Sequence, residues 1–463
     1  MQVTAELGLL GEIACPVAIT TLLLHSKSII STLFLGQLGK SELAGGSLAI
    51  SFANITGFSI MKGLSMGMEP ICSQAYGAKK WSVISQTFQR TLFILLITAI
   101  AISALWLNVE PLLLVLGQDP GITQVTKIYL RYSILELVAQ VYLHPLRVFL
   151  RSQGITKPIT IASAAGLILH LPINYFLVIY HELGVKGVAL ASAFNTITLN
   201  IALLLYLVFA KTNSKPWDGM MFLSAVKGWK QVLSLAVPSV LSVCLEWWWY
   251  EIILLLCGLL HNPQECLAAM GILIQTTGLV YVFPYALSLG LSMRVGHELG
   301  AGQASRSQHM AMIGLGIAVA IGMSALVFMT LVRSVWGRMY TSDTETLALI
   351  STALPVLGIC EIGNSPQTAA CGVLRGCARP KVGAQINFIA FYLIGLPVAV
   401  LAAFALKIGF IGLLFGLVAA QASCTCMMMY VLSRTDWDEQ VQRAKELTRV
   451  AEEAPDLETS LLS

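Results

Sequence analysis

A chain of 463 residues in which 56% of the side chains are hydrophobic and only 11% charged, with mean hydropathy +0.78, is not a water-soluble globule, because soluble domains carry about 25% charged residues. That much apolar surface requires a bilayer as part of its solvent. The net charge of +4 is dispersed, without the Lys/Arg stripe by which a nucleic-acid binder neutralises phosphate, so nucleic acid is excluded as a partner.

A bilayer-crossing helix needs about 20 mostly apolar residues. Twelve such stretches occur, near 12–35, 43–68, 89–110, 122–147, 158–180, 187–210, 230–260, 266–292, 308–336, 346–372, 383–406 and 409–432. The expected fold class is therefore an all-α polytopic membrane protein. The longest connector, 211–229, holds Lys211, Lys215, Pro216, Asp218 and Lys227 at the middle of the chain. It divides an N-terminal lobe, 1–210, from a C-terminal lobe, 230–432. The charged tail, 433–463, is expected to be disordered on composition, with Val441 to Ala451 as the only stretch resembling a surface helix. Nineteen of the 28 Lys and Arg fall on the side of the even-numbered connectors and the tail, seven on the other, and Lys27 and Lys62 lie within spans. This bias places both termini in the cytoplasm.

The chain is written twice. Pro16 matches Pro238, Gly36 matches Gly258, and Gly63-Leu-Ser-Met-Gly67 matches Leu287-Ser-Leu-Gly290. Further along, Gln74 to Ala78 matches His297 to Ala301, Leu150-Arg151 matches Leu374-Arg375, Leu171-Pro172 matches Leu396-Pro397, and Gly184 and Gly187 match Gly409 and Gly412. The offset stays between 222 and 225. Six spans per copy bring the second copy back in the same orientation, as in transporters built from parallel repeats. With no Walker A motif, an ion gradient is the expected energy source.

Charge inside a span costs about 2.5–3.5 kcal/mol on insertion scales and marks functional candidates. These are His25, Lys27, Lys62, Glu69, Glu136, His170, Glu246, Glu251 and Glu361. Glu246 stands out, eight residues after Pro238 and opposite the apolar Leu24 of the first copy. It is the leading proton-coupling candidate; the bland alternative is a protonated Glu bonded to backbone. Glu361 and Asn364 share a helix face, followed by Pro366, and form a second candidate pair. Trp247, Trp248 and Trp249 point in three directions beside Glu246, so at least one lines a pocket or all pack between helices. With Trp247, Trp249 and Tyr250, the polar or aromatic Asn54, Gln275, Tyr281, Gln367 and Asn387 are candidates for contacting substrate, or for joining helices. Pro238, Pro284 and Pro366 are candidate hinges. Lys27 and Lys62 are read as contacting an anionic substrate or snorkelling. No nucleophile–base pair and no metal spacing among the ten Cys argues for an enzyme, and no metal or cofactor is expected.

Several stretches carry a resemblance. They include Met68-Glu-Pro-Ile-Cys-Ser-Gln-Ala-Tyr-Gly-Ala78, Cys244-Leu-Glu-Trp-Trp248, Arg294-Val-Gly-His-Glu-Leu-Gly-Ala301, Gly372-Val-Leu-Arg-Gly376 and Asn387-Phe-Ile-Ala-Phe-Tyr-Leu393. In these the chain resembles the multidrug and toxic compound extrusion family, MATE, most closely its plant members. The resemblance implies twelve transmembrane helices in two pseudo-symmetric six-helix lobes. It implies a monomeric secondary transporter that exports plant metabolites, hormones or xenobiotics in exchange for protons or sodium, with protons in the plant branch. The membrane implied is the plasma membrane, the vacuole or a late endosomal compartment. The family's acid in the seventh span matches Glu246, whereas its acid in the tenth span falls at Asn364, which cannot take up a proton. Either Glu361 supplies the second carboxyl or Glu246 works alone. The alternatives are a lipid flippase of related fold, which would need a groove rich in basic residues, and a transport-inactive signalling scaffold.

Overall fold

The computed structural model describes residues 2–209 and 228–460. Among these there is no strand, and twelve helices are long and apolar enough to cross a membrane. They are α1 (Gln2–Leu38), α2 (Lys40–Gly77), α3 (Trp81–Leu107), α4 (Pro120–Ser152), α5 (Lys157–Tyr180), α6 (Val185–Phe209), α7 (Trp229–Cys257), α8 (Pro263–Gly300), α9 (Ala304–Val332), α10 (Thr344–Gly376), α11 (Pro380–Ala405) and α12 (Phe410–Ser433). Helices are required because hydrocarbon offers no partner to a free N–H or C=O. Several overrun the apolar stretch that signals them: α8 and α10 continue through polar turns to Gly300 and Gly376.

The helices form two compact units, Met1–Ala14 with Leu241–Lys445, and Cys15–Val240 with Glu446–Ser463. These bounds differ from the expected lobes at 1–210 and 230–432. The first residues of α1 cluster with the C-terminal helices: a Cβ on Gly290 of α8 would lie 3.7 Å from both Leu10 and Ile13. The start of α7 does the reverse, with Ala236 against Gly67 of α2 and Val240 against Gly63. The exchange is symmetric, since it involves equivalent ends of the two copies. Most of the expected linker lies outside the described residues; Trp229 already opens α7.

The tail is helical rather than disordered, as α13 (Trp437–Ser460). Asp436 caps its start, accepting from the N–H groups of Asp438 (3.0 Å) and Glu439 (3.2 Å). Trp437, Val441, Ala444, Thr448 and Ala451 are all buried. Their spacing of three and four residues is an amphipathic stripe, which composition alone averages away. Outside the bilayer, Arg449 hydrogen-bonds Glu446 and holds that carboxyl below the usual range.

The helices that contain Pro238, Pro284 and Pro366 run through them without interruption. Backbone irregularity instead sits in π-helical turns, which often mark functional sites. They occur at Asn54–Phe58, at Tyr175–Tyr180 shortly after Pro172, and at Phe388–Gly395 and Leu401–Ala405 around Pro397. Each of these prolines removes a main-chain donor in α5 or α11, at equivalent places in the two copies.

Candidate functional site

The residues from Leu241 of α7 onward and those of α8, α10, α11 and α12 belong to one compact unit. Half-buried Glu246 lies on a shallow, open cleft lined by Trp247 and Tyr250 of α7 and by Ile274, Thr277, Gly278 and Tyr281 of α8. The α8 residues repeat at three, four and seven positions, the face that one helix turns toward a neighbour. Trp247 meets Tyr281 edge to face, with centroids 6.2 Å apart at 84°, and Tyr281 stacks on Tyr285 at 5.7 Å. A carboxyl is thus bordered by several aromatic faces, a combination that attracts organic cations.

Behind α7 runs a row of buried polar groups. Glu361 of α10 is 1% exposed, and the Asn364 amide donates to both of its oxygens, at 3.2 and 3.0 Å. Gln421 of α12 donates to the Asn364 carbonyl oxygen at 3.3 Å. Small residues permit this approach: Gly363 leaves room for the Gln421 main chain, and a Cβ on Gly322 of α9 would lie 2.5 Å from the Glu361 carbonyl. A second group centres on Asn387 of α11. It accepts from Gln367 (3.5 Å) and from the Cys424 thiol (3.3 Å), and donates to the Ser242 hydroxyl of α7 (3.3 Å). The Tyr392 hydroxyl donates to the Leu245 carbonyl at 2.9 Å, one residue before Glu246. Glu246 and Glu361 act on one another electrostatically, and both act on the Tyr250 phenol.

The structure therefore sorts the sequence candidates. Glu246, Trp247, Tyr250 and Tyr281 meet at the cleft. Trp249 does not line it: it is 1% exposed and packs against Phe391 and Tyr250, because consecutive helical residues turn by about 100°. Gln275 is exposed, one step off the cleft-facing side of α8. Gln367 and Asn387 are buried in the helix-joining network rather than on the cleft. Asn54 is exposed in the other unit. Lys27 is bonded to Glu136 at 2.6 Å, a pairing that its place in the sequence does not indicate. Ile274, Thr277, Gly278, Ser242 and Gln421 were missed. Stepping back from Tyr281 by helical intervals would have found the first three. Among the described residues no group of three His, Cys, Asp or Glu side chains is placed to hold a metal.

Comparison with known proteins then gives the family. The chain matches MatE over residues 16–176 and 238–401, two segments separated by the offset of the internal repeat. It is 57% identical over 451 residues to Protein DETOXIFICATION 53 of Arabidopsis thaliana, covering 97% of this chain and 93% of that protein. Protein DETOXIFICATION 48 of the same plant is 52% identical, with 96% and 83% covered. Among solved structures, the eukaryotic MATE transporter AtDTX14 superposes with a TM-score of 0.91 at 27% identity, covering 97% of this chain and 100% of that one. The Vibrio cholerae MATE transporter VcmN in its bent form shares the fold at 18% identity, TM-score 0.79, with 93% and 98% covered.

Proposed function

Because the chain belongs to the MatE family of transporters, we propose that it exports small organic compounds from the cytoplasm in exchange for protons, with Glu246 as the exchanging group. The observation that carries this reading is the cleft, where one carboxyl stands among aromatic faces. An ionised carboxyl there attracts an organic cation by charge and by the ring quadrupoles. A proton on the same carboxyl removes the charge term. Substrate and proton then compete for one group, and each shifts the equilibrium between protein conformations only by binding one of them better. Glu361, held by the neutral amide of Asn364, is the second station, in electrostatic reach of Glu246. Pro238, Pro284 and Pro366 are the positions where α7, α8 and α10 would bend during the cycle. The name DETOXIFICATION of the Arabidopsis relatives supports toxic compounds as substrates. In this reading the protein is a monomer in the plasma membrane or an endomembrane such as the vacuole or late endosome, with both termini cytoplasmic.

The test is proton-driven movement of ethidium, as an organic-cation probe, in proteoliposomes of the full-length protein. Glu246→Gln should abolish coupled movement while the protein remains folded and monodisperse. Undiminished coupled movement in that variant would refute the assignment.

A further inference from the structure

The N-terminal helices bury a charged pair that the cleft does not use. Lys27 of α1 and Glu136 of α4 lie within their spans, Nζ 2.6 Å from Oε1, with side chains 14% and 9% exposed. The Lys27 ammonium also donates to the Ser192 carbonyl of α6 at 3.3 Å, and the Thr196 hydroxyl donates to the same Glu136 oxygen at 3.2 Å. Beside this centre, Ser31 bonds the His170 Nε2 at 3.1 Å and the Ser192 hydroxyl at 3.4 Å, and the Asn174 amide reaches His170 from the next turn of α5 at 3.1 Å. The Lys27 ammonium of α1 is therefore held by two helices, α4 presenting a carboxylate oxygen and α6 a main-chain carbonyl, while α5 joins the group through Ser31.

Stability alone does not explain such a pair, since apolar replacement of a buried ion pair is often neutral or better. Within the membrane, retained charge is a functional candidate by default. Oxygen ligands of this kind are also those that hard cations and ammonium groups accept. We propose that the N-terminal bundle contains a monovalent-cation site whose resident occupant is the chain's own Lys27 ammonium. The covalent tether holds that charge in place, so nothing is exchanged there. Vacated, the site takes alkali cations or primary alkylammonium ions.

The test is a binding measurement, independent of the reading of Glu246. Lys27→Ala removes from the site the equivalent of n-propylammonium. The full-length protein, purified in detergent, is unfolded thermally at fixed ionic strength with N-methylglucamine, potassium, sodium or n-propylammonium as the cation. Wild type should unfold at one Tm in all four. Lys27→Ala should unfold at a lower Tm in N-methylglucamine and recover most of the loss in n-propylammonium or potassium. Lys27→Ala/Glu136→Gln, which removes both charges, should lose that cation dependence. The proposal is overturned if the small cations raise the Tm of Lys27→Ala no more than that of wild type, if the double variant keeps the cation response, or if Lys27→Ala can be purified folded in none of the four.

Discussion

Asn364 is the residue through which the Glu361 environment can be probed most directly. Its amide nitrogen lies 3.0 and 3.2 Å from the two carboxyl oxygens, and its own oxygen accepts from Gln421 at 3.3 Å. Glu361 and Asn364 are 1% and 2% exposed, so water does not replace a lost partner. A hydrogen bond to a charged group contributes about 1.5–3 kcal/mol and a neutral one about 1 kcal/mol. Asn364→Leu, nearly isosteric, should therefore destabilise the protein by roughly 3 kcal/mol, most of it through the carboxyl. Glu361→Gln alone should cost about 1 kcal/mol, because a neutral pair remains. In the double variant the bond between the two side chains is lost only once, so the two losses should fall short of additivity by about 1 kcal/mol. Unfolding in detergent–SDS mixtures measures all four corners of the cycle. Losses that add to within about 0.5 kcal/mol would show that Asn364 does not support the Glu361 carboxyl, and the reasoning would fail.

Two further outcomes follow from burial and packing. Arg151 bonds Glu69, which is 1% exposed, at 3.1 Å, whereas the Lys127–Glu110 pair is exposed by 38% and 39%. In the same unfolding assay Arg151→Ala should cost on the order of 3 kcal/mol, and Lys127→Ala no more than about 1 kcal/mol; equal losses would refute the distinction. A Cβ at Gly278 on the cleft wall meets nothing within 4 Å. Gly278→Ala should therefore stabilise α8 by up to about 1 kcal/mol and raise KM for bulky substrates, which a Tm measurement and a concentration series in proteoliposomes would check.

The spans and the repeat were legible because both are properties of residue type along the chain: hydropathy reports the solvent around a helix, and matched Pro and Gly report backbone. Side-chain direction is not written that way. Three successive tryptophans differ in sequence only by position, yet Trp247 lines the cleft and Trp249 packs on Phe391. Lys27 and Glu136 read as two costly charges until α1 and α4 bring them to 2.6 Å. The π-helical turns near Pro172 and Pro397 were hidden for a related reason. A missing donor is visible in sequence, but whether the chain answers by kinking or by widening a turn depends on the helices beside it.

The two copies also share ties that the alignment did not expose. Trp106 Nε1 donates to the Thr56 hydroxyl, and Trp336 Nε1 donates to the Thr276 hydroxyl, each at 2.9 Å. The sequence offsets of these partners lie outside the repeat interval. Such ties keep two bundles alike in frame while their polar interiors diverge. In one bundle the carboxyl of Glu136 is matched by a tethered ammonium; in the other, Glu361 is bonded to a neutral amide. In the proposed reading it is this second bundle, with Glu246 and Glu361, that exchanges the proton.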